Sequence, residues 1–210
     1  MHVLLIGATG GTGLEILPRL LAAGHTVTAL VRRPEAITTT HEHLVVMPGG
    51  VRDPDLVDRA VQGQDAVICA FGPRALGKDD IQEVLMRNLV AAMTKHGVKR
   101  LVDLLAWGAL AWGAQDTQKS ISLMQVILQG VLLRNIFADK KRGETLLFAS
   151  DLDYVNVCPG RLLNKPARGG VKASAEGTGI KYSMTRADLA QWMVNQLTSD
   201  TWVRKSPIIG

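Results

Sequence analysis

Three glycines close to the N-terminus have the spacing of a phosphate-binding turn. Gly7, Gly10 and Gly13 form a G-x-x-G-x-x-G series between an apolar run and a segment with leucines at helical spacing. A strand that turns sharply into a helix, with its backbone close to a pyrophosphate, needs residues without a Cβ. The amides at the start of the helix would then face the phosphates. A simple tight turn is the alternative, but the strand–turn–helix context favours a dinucleotide site.

Two arginines follow the second apolar run, where dinucleotide-binding folds select their cofactor. An NAD site usually has an acidic residue there, which accepts a hydrogen bond from the ribose 2′-hydroxyl. Here the run ends in Arg32 and Arg33, and the next acid is Glu35. Guanidinium groups pair well with a 2′-phosphate. The pattern therefore predicts NADP(H) rather than NAD, against the alternative of a solvated basic turn.

The elements that must position these residues alternate along the chain. Six runs rich in Val, Ile and Leu, at residues 2–6, 26–31, 44–47, 66–70, 100–105 and 153–157, predict strands buried on both faces. Helical periodicity separates them, notably at 12–23 and 79–96. Thr185 and Asp188 predict a capping box at the start of a last helix. The alternation predicts an α/β, Rossmann-like, doubly wound parallel sheet in a single domain, residues 1–210.

Composition narrows the function classes. The 210 residues have a formal net charge of +5 that is scattered rather than striped, which argues against a nucleic-acid partner and suits an anionic small molecule. Cys69 and Cys158 lie in apolar runs and are predicted to be buried free thiols. The sequence begins directly with a strand, so we expect a cytoplasmic protein. The alternation becomes irregular on the substrate side, around 107–137. The most apolar part of this segment, 121–137, has polar interruptions, so we expect no membrane span but a helix that faces a core, a pocket or a partner.

Six motifs, in order along the chain, resemble one family. They are IGATGGTG, GHTVTALVRRPE, VQGQDAVICAFG, RNLVAAMTKHGVKRLV, SDLDYVNVCPGRLLN and YSMTRADLAQWMV. The ordered set resembles the atypical short-chain dehydrogenases/reductases of the NmrA-like, NAD(P)-binding group, with biliverdin-IXβ reductase, a flavin reductase, among its relatives. The resemblance implies a Rossmann fold, NADP(H) as cofactor and oxidoreductase activity on a small-molecule substrate.

The resemblance also assigns residues to the cofactor. The glycine-rich turn and the two arginines would hold phosphates, and the loop at 49–51 would lie by the adenine, with Gly50 standing where the family commonly has Asp. Residues after the fourth strand would follow the ribose and pyrophosphate, and those after the sixth would pass near the nicotinamide or the substrate. The predicted cofactor residues are Gly7, Thr9, Gly10, Gly11, Thr12, Gly13, Arg32, Arg33, Gly49, Gly50, Val51, Ala70, Phe71, Gly72, Arg74, Leu105, Ala106, Pro159, Gly160 and Arg161.

The fifth strand departs from the family pattern. Relatives usually end it with a Ser pair or Ser-Ala, where this chain has Leu105 and Ala106. The Tyr-x-x-x-Lys pair of the wider superfamily lacks its tyrosine, because Ile136 precedes Lys140 by four residues. Lys140 is the remaining candidate catalytic residue, which would orient a ribose or bind an anionic substrate. The alternative is a surface ion pair between Lys140 and Glu144 on one helix.

Other residues have weaker signals. Trp107, Trp112 and Met124 would line an apolar substrate pocket over the nicotinamide, or pack in a core or a dimer face. The HEH turn at 41–43 is expected to be solvated, and no metal site is predicted. Asn88, on an apolar helical stripe, is expected to bond to backbone inside the sheet.

The residues and the resemblance together predict an NADPH-dependent oxidoreductase. Hydride would pass to a flat conjugated or apolar acceptor of the flavin, quinone or enone type, in a monomer or a homodimer. Without a side-chain acid, the proton of the product would come from solvent. The alternative is an NADP(H)-sensing regulatory protein that binds the nucleotide without turnover, which the missing hydroxyl groups favour.

Overall fold

Strands and helices alternate from the first residues onward. The computed structural model describes residues 1–72, 80–105, 134–181 and 183–210. A short 3-10 turn, Pro34–Ala36, follows the second strand. The strands in these ranges are β1 (His2–Ile6), β2 (Thr26–Val31), β3 (Leu44–Pro48), β4 (Ala66–Cys69), β5 (Arg100–Leu104), β6 (Asp153–Pro159), β7 (Arg161–Leu163), β8 (Ala173–Ser174), β9 (Ser183–Thr185) and β10 (Ile208–Ile209). The helices in these ranges are α1 (Gly13–Ala22), α2 (Pro54–Val61), α3 (Ile81–His96), α4 (Arg134–Phe148) and α5 (Arg186–Asn195).

Eight of the strands form one sheet in the order β3-β2-β1-β4-β5-β6-β10-β8. Neighbours from β3 to β10 run parallel, and β8 is antiparallel to β10. β7 and β9 form a separate parallel pair. The order 3-2-1-4-5-6 is that of a doubly wound sheet, in which ligands bind beyond the carboxyl ends of the strands where the strand order reverses. The Rossmann-like fold predicted from the sequence is confirmed, and its switch point lies between β1 and β4.

The six predicted strands all form: β1 and β2 have the expected bounds, and the carboxyl ends of the other four differ from the expected ones by one or two residues. Differences of this size are ordinary at strand and helix ends, where the hydrogen-bond pattern fades. Of the apolar stretch 121–137, residues 121–133 lie outside the described ranges, and α4 begins at Arg134. Within the described ranges, no helix combines the length and apolar character needed to cross a membrane.

Helices cover both faces of the sheet, so its central strands are buried on each side. Leu5 of β1 shares a core cluster with Leu17 of α1 and Met193 of α5. Leu4, the preceding residue, faces the opposite side and shares a cluster with Leu89 of α3. Each leucine of this kind contributes about 2 kcal/mol when it leaves water completely. Burial on both faces therefore explains the continuous apolar runs of the strands.

A buried carboxylate ties the start of α5 to the segment before β8. Asp188, 7% exposed, accepts hydrogen bonds from the amides of Arg168 (3.0 Å) and Gly169 (2.9 Å) and from the Thr185 hydroxyl (2.7 Å). Thr185 also caps α5, because its oxygen accepts from the Asp188 amide at 3.0 Å. The predicted capping box is thus half correct: the threonine caps the helix, but the carboxylate bonds to a distant loop.

The hydrogen bonds of Asp188 also set its charge state. Burial opposes ionisation of this carboxyl group, but the bonds from the Thr185 hydroxyl and from the Arg168 and Gly169 amides outweigh burial and lower its pKa. The ionised form is therefore the one that holds the loop to the helix.

Replacing Asp188 is expected to weaken the fold in a pH-dependent way. Asp188→Ala should lower the free energy of unfolding at pH 7 by about 2 kcal/mol, because two amides and a hydroxyl lose a charged acceptor. Since the pKa is lowered in the folded state, this contribution is present above the ordinary Asp value and is lost as pH falls through the folded value. Urea denaturation from pH 7 down to pH 2.5 measures it, with Gln191→Ala at an exposed position of α5 as the control. A deficit that stays constant across this range would contradict the role of the charge.

Candidate functional site

A cavity opens at the carboxyl ends of β1, β2 and β4, at the switch point of the sheet. Its walls come from the ends of these strands, the loop after β3 and the first residue of α3. The lining residues are Ile6, Gly7, Thr9, Gly10, Leu30, Val31, Arg32, Gly49, Gly50, Val51, Arg52, Ala70, Phe71, Gly72 and Ile81. Ten of these are predicted cofactor residues. The fold thus brings together four predicted segments that are far apart in the sequence.

The glycines of the first turn are required by close packing. Gly7 has a φ of +87°, and a Cβ there would lie 2.7 Å from the carbonyl carbon of Ala70. A Cβ on Gly13 would lie 2.1 Å from the carbonyl oxygen of Gly7. Neither position admits a side chain unless backbone moves, because each contact is with main-chain atoms. A bond from the Gly10 amide to the Gly7 carbonyl, at 2.9 Å, closes the turn.

The same turn presents backbone donors without backbone acceptors. Within the described chain, no main-chain carbonyl accepts from the amides of Gly11, Thr12 or Gly13, and the first such pairing is that of Leu14 with Gly10. The Thr12 side chain makes no capping bond. These amides stand at the positive end of the α1 dipole. The arrangement fits a phosphate group.

The cavity is basic where β2 ends. Arg32 lines it next to Gly50, where a Cβ would lie 3.8 Å from Arg32 Cγ. Arg52 also lines it and pairs with Asp80 at 2.6 Å. The sequence analysis did not predict Arg52 as a residue of this site. Its position directly after the predicted cofactor segment 49–51 could have indicated it. The described residues that line this cavity include two arginines and no acid.

Asn88 holds one wall of the cavity from α3. Its side-chain amide donates to the Val51 carbonyl at 2.9 Å. The expectation that Asn88 bonds to backbone is confirmed, but its partner lies in the loop after β3 rather than inside the sheet. Asp53, two residues further on, caps α2 by accepting from the Leu56 amide at 3.1 Å. Two helices therefore fix the course of the loop.

Other predicted residues lie off the lining of this cavity or outside the described chain. Those described but off the lining are Gly11, Thr12, Gly13, Arg33, Leu105, Pro159, Gly160 and Arg161. Arg33 is exposed beside Arg32, and the Leu105 side chain, 2% exposed, packs with Cys158 in a small apolar cluster. Those outside the described residues are Arg74, Ala106, Trp107, Trp112 and Met124. The cofactor and substrate roles of both groups stay predictions.

A row of polar side chains crosses the sheet beneath α3 and α4. Cys69 on β4, Asp103 on β5 and Asn156 on β6 are neighbours in register, and all three are buried. The Asn156 side-chain amide donates to Ser206 at 3.4 Å, whereas its oxygen has no hydrogen-bond partner among the described residues. The predicted buried free thiols, Cys69 and Cys158, are confirmed. The sequence analysis did not single out Asp103. The feature that could have indicated it is an acidic residue inside an otherwise apolar strand.

Two residues of α4 face the same buried region. Lys140 and Glu144 are each 8% exposed, so the alternative of a surface ion pair is wrong. A spacing of four residues is the same on an exposed and on a buried helix face, and this face packs against the sheet. Lys140 Nζ donates to the Leu104 carbonyl at 3.3 Å, and Glu144 Oε1 has no hydrogen-bond partner among the described residues. The buried ionisable cluster consists of Cys69, Asp103, Lys140, Glu144 and Cys158.

Burial dominates the electrostatics of the buried ionisable cluster. It raises the pKa of Glu144 to about 7, with the charge of Asp103 adding to the effect and that of Lys140 opposing it. Burial also raises the pKa of Asp103, against the attraction of the Lys140 ammonium, and raises those of the Cys69 and Cys158 thiols well above their usual range. Glu144 therefore exchanges its proton near neutral pH. Within the described ranges, no three His, Cys, Asp or Glu side chains come together as metal ligands.

The fold and the cavity together define a class, the Rossmann proteins that bind a nicotinamide dinucleotide. A family model described as NAD(P)H-binding matches residues 7–200. The chain belongs to this NAD(P)H-binding family, and the resemblance to atypical short-chain dehydrogenases/reductases is confirmed at that level.

Three curated relatives have different names. An uncharacterized chloroplastic protein of Arabidopsis thaliana is 31% identical over 94% of this chain and 72% of its own length. Photosystem II assembly factor Ycf39 of Synechocystis sp. is 34% identical over 100% of this chain and 63% of its own length. The (4-alkanoyl-5-oxo-2,5-dihydrofuran-3-yl)methyl phosphate reductase of Streptomyces griseus is 37% identical over 49% of this chain and 33% of its own length. The chain thus spans less than two thirds of the latter two proteins.

Two solved structures share the fold at low sequence identity. ChuY, an anaerobillin reductase of Escherichia coli O157:H7, matches with a TM-score of 0.79 and 23% identity over 100% of this chain and 96% of its own. A short-chain dehydrogenase/reductase of Veillonella parvula in complex with NADP matches with a TM-score of 0.79 and 18% identity over 100% and 94%. These two structural similarities support the assignment of a Rossmann-like fold to this chain.

Removing the charge of Glu144 is expected to stabilise the protein above neutral pH. The folded-state pKa is raised, so stability falls as pH rises from the unfolded value near 4.5 to about 7. Glu144→Gln keeps the shape of the side chain and should raise the free energy of unfolding by about 2 kcal/mol at pH 8. Near pH 4.5 the two proteins should differ little. Urea denaturation at both pH values measures this, with the exposed Glu42→Gln as control, and a gain as large at pH 4.5 would refute it.

Proposed function

We propose that the chain is an NADPH-dependent oxidoreductase that passes hydride to a flat conjugated or apolar acceptor of the flavin, quinone or enone type. The observation that carries the cofactor assignment is the cavity at the switch point. Its described lining contains Arg32 at the end of β2 and Arg52 after β3, and no acid. The amides of Gly11, Thr12 and Gly13, which have no backbone acceptor in the described chain, follow directly after the lining residue Gly10. A carboxylate for a ribose 2′-hydroxyl is absent from its described lining, and cations for a 2′-phosphate stand in its place.

The residues of this chain fit the dinucleotide by position. The amides of Gly11, Thr12 and Gly13 would hold the diphosphate, because they lack backbone acceptors at the start of α1. Arg32, with Arg33 beside it, would bind the 2′-phosphate. The close contact of Gly7 with Ala70 keeps β1 and β4 near enough for the cofactor to cross the switch point. The bound dinucleotide would supply the hydride, and these residues would hold it in place.

The residues near the end of β5 favour an acceptor that needs no side-chain acid. The Leu105 side chain is apolar and buried, and Ile136 stands where the tyrosine of the superfamily would be. An acceptor whose electrons are delocalised takes hydride first and a solvent proton afterwards. The Streptomyces relative is named for reducing a furanone whose ring double bond is conjugated with carbonyl groups. Lys140, held at the Leu104 carbonyl, would add a positive charge near that end of the sheet.

A second candidate function is NADP(H) sensing without turnover. The same apolar Leu105 supports it, because a protein that performs no reaction needs no proton donor. The relative named as a photosystem II assembly factor, aligned over 100% of this chain, also supports a role other than catalysis. Assays of turnover separate the two candidates.

The first expected outcome concerns cofactor choice. The wild-type chain should bind NADPH at least tenfold more tightly than NADH, a difference of about 1.4 kcal/mol or more. Arg32→Ala combined with Arg33→Ala should weaken NADPH binding and leave NADH binding nearly unchanged, because NADH has no 2′-phosphate. Isothermal titration calorimetry measures both, and Arg59→Ala at an exposed position of α2 controls for the loss of charge. Equal affinities of the wild type for both cofactors would overturn the NADP assignment.

The second expected outcome concerns the acceptor. Flavins, quinones and enones should oxidise NADPH, whereas simple ketones should react poorly, because the charge that develops on their oxygen needs a positioned donor. Lys140→Ala should slow turnover. The control is Lys141→Ala, which removes the same charge from the exposed neighbouring residue on α4 and should slow turnover less. The decrease in NADPH absorbance with a panel of acceptors measures both effects. Rapid reduction of simple ketones would refute the acid-free mechanism, and tight NADPH binding without any turnover would favour the sensor.

A further inference from the structure

An arginine of α5 lies against the glycine-rich turn. Arg186 is the first residue of α5, and its half-buried side chain reaches across to Gly11. A Cβ on Gly11 would lie 2.9 Å from Arg186 Nε and 3.5 Å from Arg186 Cζ. The guanidinium therefore occupies the space that a side chain at position 11 would fill.

The described partners of Arg186 are neutral. One guanidinium nitrogen donates to Asn164 Oδ1 at 2.6 Å and, more weakly, to the Leu162 carbonyl at 3.5 Å. Within the described ranges, no carboxylate forms an ion pair with Arg186. These two neutral bonds orient the guanidinium but leave its charge uncompensated there.

The place of this charge is electrostatically unfavourable unless an anion binds beside it. Gly11 precedes α1, whose first amides carry the positive end of the helix dipole, and the amides of Gly11, Thr12 and Gly13 have no backbone acceptor in the described chain. Acidic groups, not cations, are stabilised at this end of a helix. A cation held there by neutral partners, next to free amides, matches the requirements of a phosphate group.

We propose that Arg186 is a further cofactor-binding residue that contacts the diphosphate of the dinucleotide. The inference rests on the proposed function of the cavity. Arg32 would recognise the 2′-phosphate, which NADPH alone carries, whereas Arg186 would recognise the diphosphate, which NADPH and NADH share. Arg32 would therefore distinguish NADPH from NADH, whereas Arg186 would contribute equally to the binding of both.

Direct binding measurements with three ligands test this division. Arg186→Met should weaken NADPH and NADH by the same factor, about tenfold, and change the affinity for 2′-AMP, which has no diphosphate, by less than twofold. Arg186→Lys should recover most of the loss because it keeps the charge. Lys165→Met, at an exposed position before β8, removes one positive charge elsewhere and should leave all three affinities unchanged.

The outcomes separate this inference from the proposed function. If the wild type binds neither dinucleotide, the proposed function fails. If the wild type binds both and Arg186→Met does not weaken them, or weakens 2′-AMP equally, Arg186 has no diphosphate role. Should Arg186→Met fail to fold, Asn164→Ala decides, because it removes the 2.6 Å hydrogen bond that orients the guanidinium and leaves the arginine and the glycine-rich turn intact. Equal losses for NADPH and NADH, with 2′-AMP binding intact, support the proposal, and unchanged dinucleotide affinity overturns it.

Discussion

The contact between the first turn and the end of β4 is the constraint on which the site depends. Gly7 touches the Ala70 carbonyl group, and Gly13 touches Gly7, at distances that exclude any Cβ. This packing brings β1 and β4 together at the switch point and turns the chain into α1 with three amides unpaired in the described chain. The cavity, its basic wall and the place of Arg186 all take their positions from this turn.

Charge is distributed unevenly along the carboxyl edge of the sheet. Arg32 and Arg52 line the cavity on one side of the switch point, and Arg52 is paired with Asp80. On the other side, Asp103 of β5 is buried with Lys140 and Glu144 of α4 between the helix and the sheet, and two acids share one cation. Burial makes the second acid costly to ionise, which is why the pKa of Glu144 rises to about 7. One edge of the sheet thus combines a basic cavity with a carboxyl group whose pKa is raised to about 7.

Local patterns were enough to predict the strands, the glycine turn and the Thr185 cap. Each depends on residues within a few positions of one another, so the sequence order already contains the geometry. The surface ion pair between Lys140 and Glu144 was wrong for the opposite reason. Helical spacing specifies that the two side chains share a face, but the packing of α4 decides whether that face meets water or the sheet.

The sequence by itself determined the fold class, the glycine turn between β1 and α1, and the pair of arginines directly after β2. These features follow from steric and periodic rules that act over short stretches of chain. Only the tertiary structure decided that Arg52 joins Arg32, that Cys69, Asp103 and Asn156 align across three strands, and that Arg186 lies on Gly11. Those neighbours come from distant segments, and the register of the strands and the packing of the helices alone bring them into contact.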